Sequence, residues 1–130
     1  MAYDLSALPD RFLDSLSEFH VAVFAVTRPD GTPHATVVGF TYDPRERVAR
    51  VISRGGTRKE ANIGDGAVVA LTTHAGRYWL TLEGTAVVTH DPDRVADAVA
   101  RYEARYFPAA PADDRIAIEV TVSRAYGMYE

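Results

Sequence analysis

The chain of 130 residues contains no cysteine and a single lysine, Lys59. Without cysteine there are no disulfides, no thiolate zinc sites and no cysteine nucleophile. No run of about 18 apolar residues is present, so no membrane-spanning helix is expected. The first residues, MAYDLSALPDRF, lack a basic leader ahead of an apolar stretch, which predicts no signal peptide and a cytoplasmic location. Positive charge is not in excess: the formal net charge is −4, which argues against a nucleic-acid partner or a basic membrane patch. The four histidines, His20, His34, His74 and His90, match no metal motif in their spacing. No Gly-x-Ser-x-Gly or other nucleophile setting occurs.

The apolar content, 47%, is that of a globular protein with a real core, and the length predicts one domain, residues 1–130. A first helix is expected from Pro9 to about Glu18, with Phe12, Leu13, Leu16 and Phe19 on one face. Val21–Thr27 reads as a buried strand, followed by a tight turn at Arg28-Pro-Asp-Gly31. His34–Tyr42 returns as a second strand, Asp43–Arg47 is a second turn, and Val48–Ser53 is a third strand. After a short helix closed by Gly64-Asp-Gly66, Ala67–Thr73 and Arg77–Thr89 are the fourth and fifth strands. On the fifth, Tyr78, Leu80, Leu82, Ala86 and Val88 alternate with Arg77, Trp79, Thr81, Glu83 and Thr85. Asp91 and Pro92 start a second long helix with a stripe of Val95, Val99, Tyr102 and Tyr106. After a loop, Phe107–Asp114, the last strand is Arg115–Val122, with Ile116, Ile118, Val120 and Val122 inward. The order predicts a mainly β fold: a six-stranded antiparallel barrel, closed or split, with flanking helices.

One stretch carries chemistry. Ser53–Ile63 reads SRGGTRKEANI, which follows a strand and opens the short helix. Thr57 and Glu60 have the spacing of a capping box. A capped helix start with solvated basic residues is one reading. It leaves the charges unexplained, because a cation in a first helical turn is unfavourable by about 0.3–1 kcal/mol. A bound phosphate accounts for them. It would take bonds from the Gly55 and Gly56 amides, the Thr57 hydroxyl and the Lys59 ammonium, with Arg54 and Arg58 in reach.

This motif in this place, with PHATVVGFTYD, RVISRGGTRK and YWLTLEG, resembles the pyridoxamine 5'-phosphate oxidase-like split β-barrels. Within them it is most similar to the actinobacterial branch that uses the deazaflavin coenzyme F420, and to its biliverdin reductase-like members. The resemblance covers nearly the whole chain. It implies an oxidoreductase that passes a hydride from reduced F420 to a small conjugated substrate, such as biliverdin. It also implies a homodimer with the cofactor groove at the subunit interface. Carried onto this sequence, the cofactor residues are His34 at the start of the second strand and Ala35, Thr36, Val37 and Val38 beneath the ring. Ser53, Arg54, Thr57, Arg58 and Lys59 lie at the phosphate, and Arg77 and Trp79 at the groove wall. No residue is assigned as a nucleophile or acid–base catalyst. His34 also reads as a strand-end histidine bonded to backbone, Trp79 as core or interface filling, and Arg77 and Glu83 as members of a cross-strand ion pair.

Two departures bear on the cofactor. Oxidases of this family that bind FMN carry Arg and Lys on the second strand, where Ala35 and Phe40 stand here, and they end in a basic segment where this chain ends AYGMYE. Both argue against pyridoxamine phosphate oxidation. An FMN-binding reductase, and a non-catalytic protein binding a flavin or haem-like ligand, stay open as alternatives.

Overall fold

The computed structural model describes residues 2–128. Eight strands form one antiparallel sheet in the order β3-β2-β6-β7-β8-β5-β4, and β1 pairs with β8. These are β1 (Ala2–Tyr3), β2 (Ala22–Thr27), β3 (Pro33–Val38), β4 (Thr41–Asp43), β5 (Val48–Arg54), β6 (Ala67–Ala75), β7 (Tyr78–Thr89) and β8 (Arg115–Met128). Three α-helices accompany them: α1 (Asp10–Ser15), α2 (Arg58–Ile63) and α3 (Pro92–Arg105). Among the described residues no ladder joins β3 to β4 or β5, so the barrel is split along that line. No helix among the described residues is long and apolar enough to cross a membrane.

The expected fold is present, with eight strands where six were expected. The predicted strand His34–Tyr42 is two strands, broken at Gly39 and Phe40. The break is imposed from outside the segment. The ring of Tyr102 lies where a Gly39 Cβ would sit, 2.8 Å away, and the Phe40 amide donates to the Tyr106 hydroxyl at 3.1 Å. β1 is a two-residue edge with no alternation to read. Helix α1 is shorter than expected, because the Leu16 amide already closes the last turn on Phe12.

β8 runs six residues beyond the predicted end at Val122. Glu83 pairs with Arg124 but Gly84 pairs with Val122, so Ser123 is an extra residue in β8. Such a bulge reverses the inward parity: Val122 is buried before it and Ala125 after it. A strict period of two therefore ends at Val122 although the strand does not. Gly84 is required opposite the bulge, where a Cβ would lie 2.1 Å from the Thr121 carbonyl oxygen.

The core lies inside the barrel, where Phe24, Leu71, Leu80, Leu82, Ile118 and Val120 are fully buried. Phe12 of α1 is buried against Tyr3 and near Tyr78, at the β6–β7 turn. Ile63 of α2 is buried on the side of β2 and β7. Helix α3 crosses the outside of β4, β5 and β8. That interface is charged. Arg50 of β5 is only 8% exposed and sits 3.6 Å from Asp97 of α3. Arg94 of α3 binds the buried carboxylate of Glu119 on β8 through Nε and Nη2.

Candidate functional site

The split in the barrel holds a pocket of about 340 Å³. Its walls are the end of β3 (Val37, Val38, Gly39), Ile52 of β5, Tyr102 of α3 and the loop 107–110. Two cations, Lys59 of α2 and Arg115 of β8, line the same space. The pocket exists because β3 and β5 are left unpaired, and because Gly39 lets the Tyr102 ring press against the backbone.

The front of α2 forms one half of the expected capping box, while Glu60 reaches back to Gly56 rather than to the Thr57 amide, and this changes the expected phosphate cradle. Thr57 caps the helix, its Oγ1 accepting from the Glu60 amide at 3.4 Å. The Glu60 carboxylate accepts from the Gly56 amide at 2.6 Å and meets His90 Nε2 at 3.0 Å. The Gly55 amide donates to the Asp114 carbonyl at 2.7 Å. Both glycine amides are thus occupied within the protein. What remains for an anion is side-chain chemistry. The side chains of Arg58 and Lys59 form no ion pair or hydrogen bond among the described residues. Arg54 is turned to Asp114, with Nε 3.1 Å from Oδ1, and this bond lowers the Asp114 pKa. Ser53 is buried with its Oγ 3.5 Å from Thr57 Oγ1.

The remaining site residues divide by sheet face. Ala35 and Val37 are exposed on the outside of β3, while His34 and Thr36 are half-buried and Val38 is buried. The expected backbone bond to His34 is not observed at Nδ1, which is buried without a hydrogen-bond partner. Arg77 stands in the β6–β7 turn, and Trp79 packs edge-on against Tyr126, ring centroids 6.0 Å apart. Trp79 is three strand spacings from β3, about 14 Å. Within one chain, Arg77 and Trp79 are therefore not brought to the pocket. Glu83 accepts the Tyr126 hydroxyl at 2.7 Å.

Of the twelve residues expected at the cofactor, Val37, Val38 and Lys59 line the pocket. Gly39, Ile52, Tyr102, Phe107–Ala110 and Arg115 also line it and were not among the residues expected. The segment FPAAP, with two prolines and two alanines between a helix and a strand, marks a loop, but nothing in it indicates what the loop covers.

The family described as Pyridoxamine 5'-phosphate oxidase matches residues 8–129. An F420H(2)-dependent biliverdin reductase of Mycobacterium tuberculosis (strain CDC 1551 / Oshkosh) is 41% identical over 127 residues, which cover 98% of this chain and 93% of that protein. A solved F420 reductase superposes with a TM-score of 0.75 at 24% identity, covering 92% of this chain and 98% of its own. A conserved hypothetical protein of Mycobacterium tuberculosis superposes with a TM-score of 0.79 at 16% identity, covering 93% and 84%. The two structures show the shared split-barrel fold.

Proposed function

Because the chain belongs to the pyridoxamine 5'-phosphate oxidase family, we propose on that premise that it is an F420-dependent oxidoreductase acting on a conjugated substrate of the biliverdin kind. The observation that carries the reading is the likeness to the F420H(2)-dependent biliverdin reductase across nearly the whole chain.

The pocket fits such a cofactor in its donor set. Lys59 and Arg115 offer cations without a carboxylate in hydrogen-bond contact among the described residues, suited to one phosphodiester. Val37, Val38 and Ile52 give the pocket an apolar wall. In this reading Ala35 to Val38 run beneath the ring, with Ala35 and Val37 on the exposed face of β3. Ser53, Thr57, Arg54 and Arg58 complete the phosphate end in this reading, with Arg54 first leaving Asp114. Reduced F420 supplies the hydride from its C5 carbon. The protein's part is to hold the two reactants in line and to stabilise their charges.

The FMN alternative lacks its cations. Ala35 is uncharged, and Phe40 is buried beneath the Arg105 guanidinium, 4.6 Å from the ring centroid.

The same reading makes the protein a homodimer. Val23 and Val37 are Cα partners on adjacent strands, and with Val21 and Val68 they leave apolar side chains exposed on the outer face of β2, β3 and β6. Pairing of two copies through this face would cover them and would carry Arg77 and Trp79 of one copy towards the pocket of the other. Fluorescence titration with F420 and with FMN in one buffer tests the assignment. Tighter binding of F420 is expected; submicromolar FMN binding without F420 binding overturns it in favour of an FMN reductase. Light scattering is expected to give twice the chain mass.

A further inference from the structure

Beside the pocket, on the side of α1, two phenyl rings face solvent: Phe19 is 60% and Phe107 53% exposed. They are stacked, with ring centroids 5.8 Å apart and planes at 17°. Tyr106 meets Phe19 edge-on at 5.1 Å, and Tyr102 lies 6.0 Å from Phe107. Phe107 and Tyr102 line the pocket, so the shelf is continuous with it.

Exposed apolar rings are ordinary when they stand singly on mobile loops. This pair is held. The Glu18 carbonyl accepts from Arg105 Nε at 2.7 Å, and the His20 carbonyl accepts from the Tyr106 hydroxyl at 2.6 Å. The backbone on both sides of Phe19 is therefore tied to the end of α3. Arg105 makes two further bonds, to the Phe40 and Ser15 carbonyls. Among the described residues all three of its hydrogen bonds go to carbonyls, so no hydrogen-bonded carboxylate neutralises its charge. A positive charge thus lies behind a fixed aromatic surface, beside a pocket with two more cations.

We propose that the Phe19–Phe107 pair is the stacking shelf for the substrate, and that its occupant is a flat, conjugated molecule bearing carboxylates. This rests on the functional reading above and assigns residues to the substrate half of that site. Parallel rings present a π-face to a planar ligand. Arg105, lying behind the rings, supplies the complementary charge for anionic side groups. A compact, saturated acceptor would gain nothing from the shelf.

The test uses biliverdin as the probe, titrated into the cofactor-free protein and followed by its visible absorbance, with a separate F420 titration by fluorescence. Phe19 is the residue to change, because it does not line the cofactor pocket. Phe19→Leu keeps the apolar side chain but loses the ring, and should weaken biliverdin binding about tenfold. Phe19→Tyr keeps the ring and should bind within about twofold of wild type. F420 affinity and dimer mass should be unchanged in both. The proposal is overturned if Phe19→Leu binds biliverdin as wild type does, if it loses F420 equally, or if its dimer dissociates, which would make the shelf a subunit contact. It is overturned too if wild-type protein binds F420 but no biliverdin. A protein that binds biliverdin through Phe19 but prefers FMN to F420 overturns the cofactor reading and keeps the shelf.

Discussion

On α3, Arg94 binds Glu119 with two nitrogens, and Arg101 meets Asp97 at 3.0 Å and Asp43 at 3.5 Å. On α2, the side chains of Arg58 and Lys59 meet no carboxylate among the described residues. Both helices carry cations, but only α3 pairs any of its own with carboxylates inside the fold, Arg94 with Glu119 and Arg101 with Asp97. The difference follows from what each covers. Helix α3 lies on a sheet face that contains a buried arginine and a buried glutamate, and such groups need partners. Helix α2 puts Lys59 at a pocket, where the balancing charge can come from a ligand. Paired cations hold the structure; unpaired ones are available for binding.

The largest expected effect lies on the paired side. Glu119→Ala removes the carboxylate that Arg94 grips and that neighbours Arg50 in the ladder. It leaves a buried cation with Asp97 alone, and should destabilise folding by about 3 kcal/mol. Urea denaturation measures this. F420 affinity of the folded fraction should not change, and a selective loss of affinity would erase the distinction between the two helices.

Lys59→Ala is the converse case. Loss of one charge-assisted bond of about 2 kcal/mol should weaken F420 binding about thirtyfold. Thermal stability without cofactor should stay equal or rise slightly, because a cation at the start of a helix is removed. A collapse of stability with unchanged affinity would make Lys59 a structural residue.

A smaller effect is expected at the contact between the two regions. Tyr106→Phe removes the hydroxyl that accepts from the Phe40 amide and donates to the His20 carbonyl. The cost should be about 1 kcal/mol, read as a lower melting temperature. Because these bonds also hold the Phe19 turn, biliverdin binding should weaken more than F420 binding.

These contrasts were unevenly legible in the sequence. The barrel could be read because β2, β5, β6 and β7 carry turn residues at their ends, and β7 alternates from Leu82 to Val87. The Thr57 cap was visible from its spacing to Glu60, and the structure forms it, with the Glu60 carboxylate on the Gly56 amide instead of the Thr57 amide. What Glu60 does with its carboxylate was not visible: it takes the Gly56 amide donor that an anionic ligand would otherwise use. The end of β8 was hidden by a bulge that depends on β7. The break at Gly39 was hidden because Tyr102 and Tyr106, more than sixty residues away, produce it. Pocket residues such as Arg115 share no pattern with Lys59; the fold alone makes them neighbours.

Arg54 crosses the comparison, and its test should give the smallest change. It belongs to the cationic motif yet is paired with Asp114, so it is either a latch on the loop or a phosphate ligand held in reserve. Asp114→Asn separates these roles. It removes the partner charge while the Asp114 backbone carbonyl still accepts from the Gly55 amide. The pair is exposed, so stability should hardly move. If Arg54 is in reserve, freeing it should raise F420 affinity by about two- to threefold, and added salt should reduce that gain. A latch predicts no gain. The pH dependence has the same origin. The hydrogen bond from Arg54 lowers the Asp114 carboxyl below its ordinary value of 3.8. The pair's contribution is therefore complete above that value and is lost as pH falls through the lower folded value. At neutral pH the pair is formed, so if Arg54 is in reserve the affinities of wild type and Asp114→Asn should differ there and converge in acid. Equal affinities at neutral pH would assign Arg54 to the paired set, with the arginines of α3.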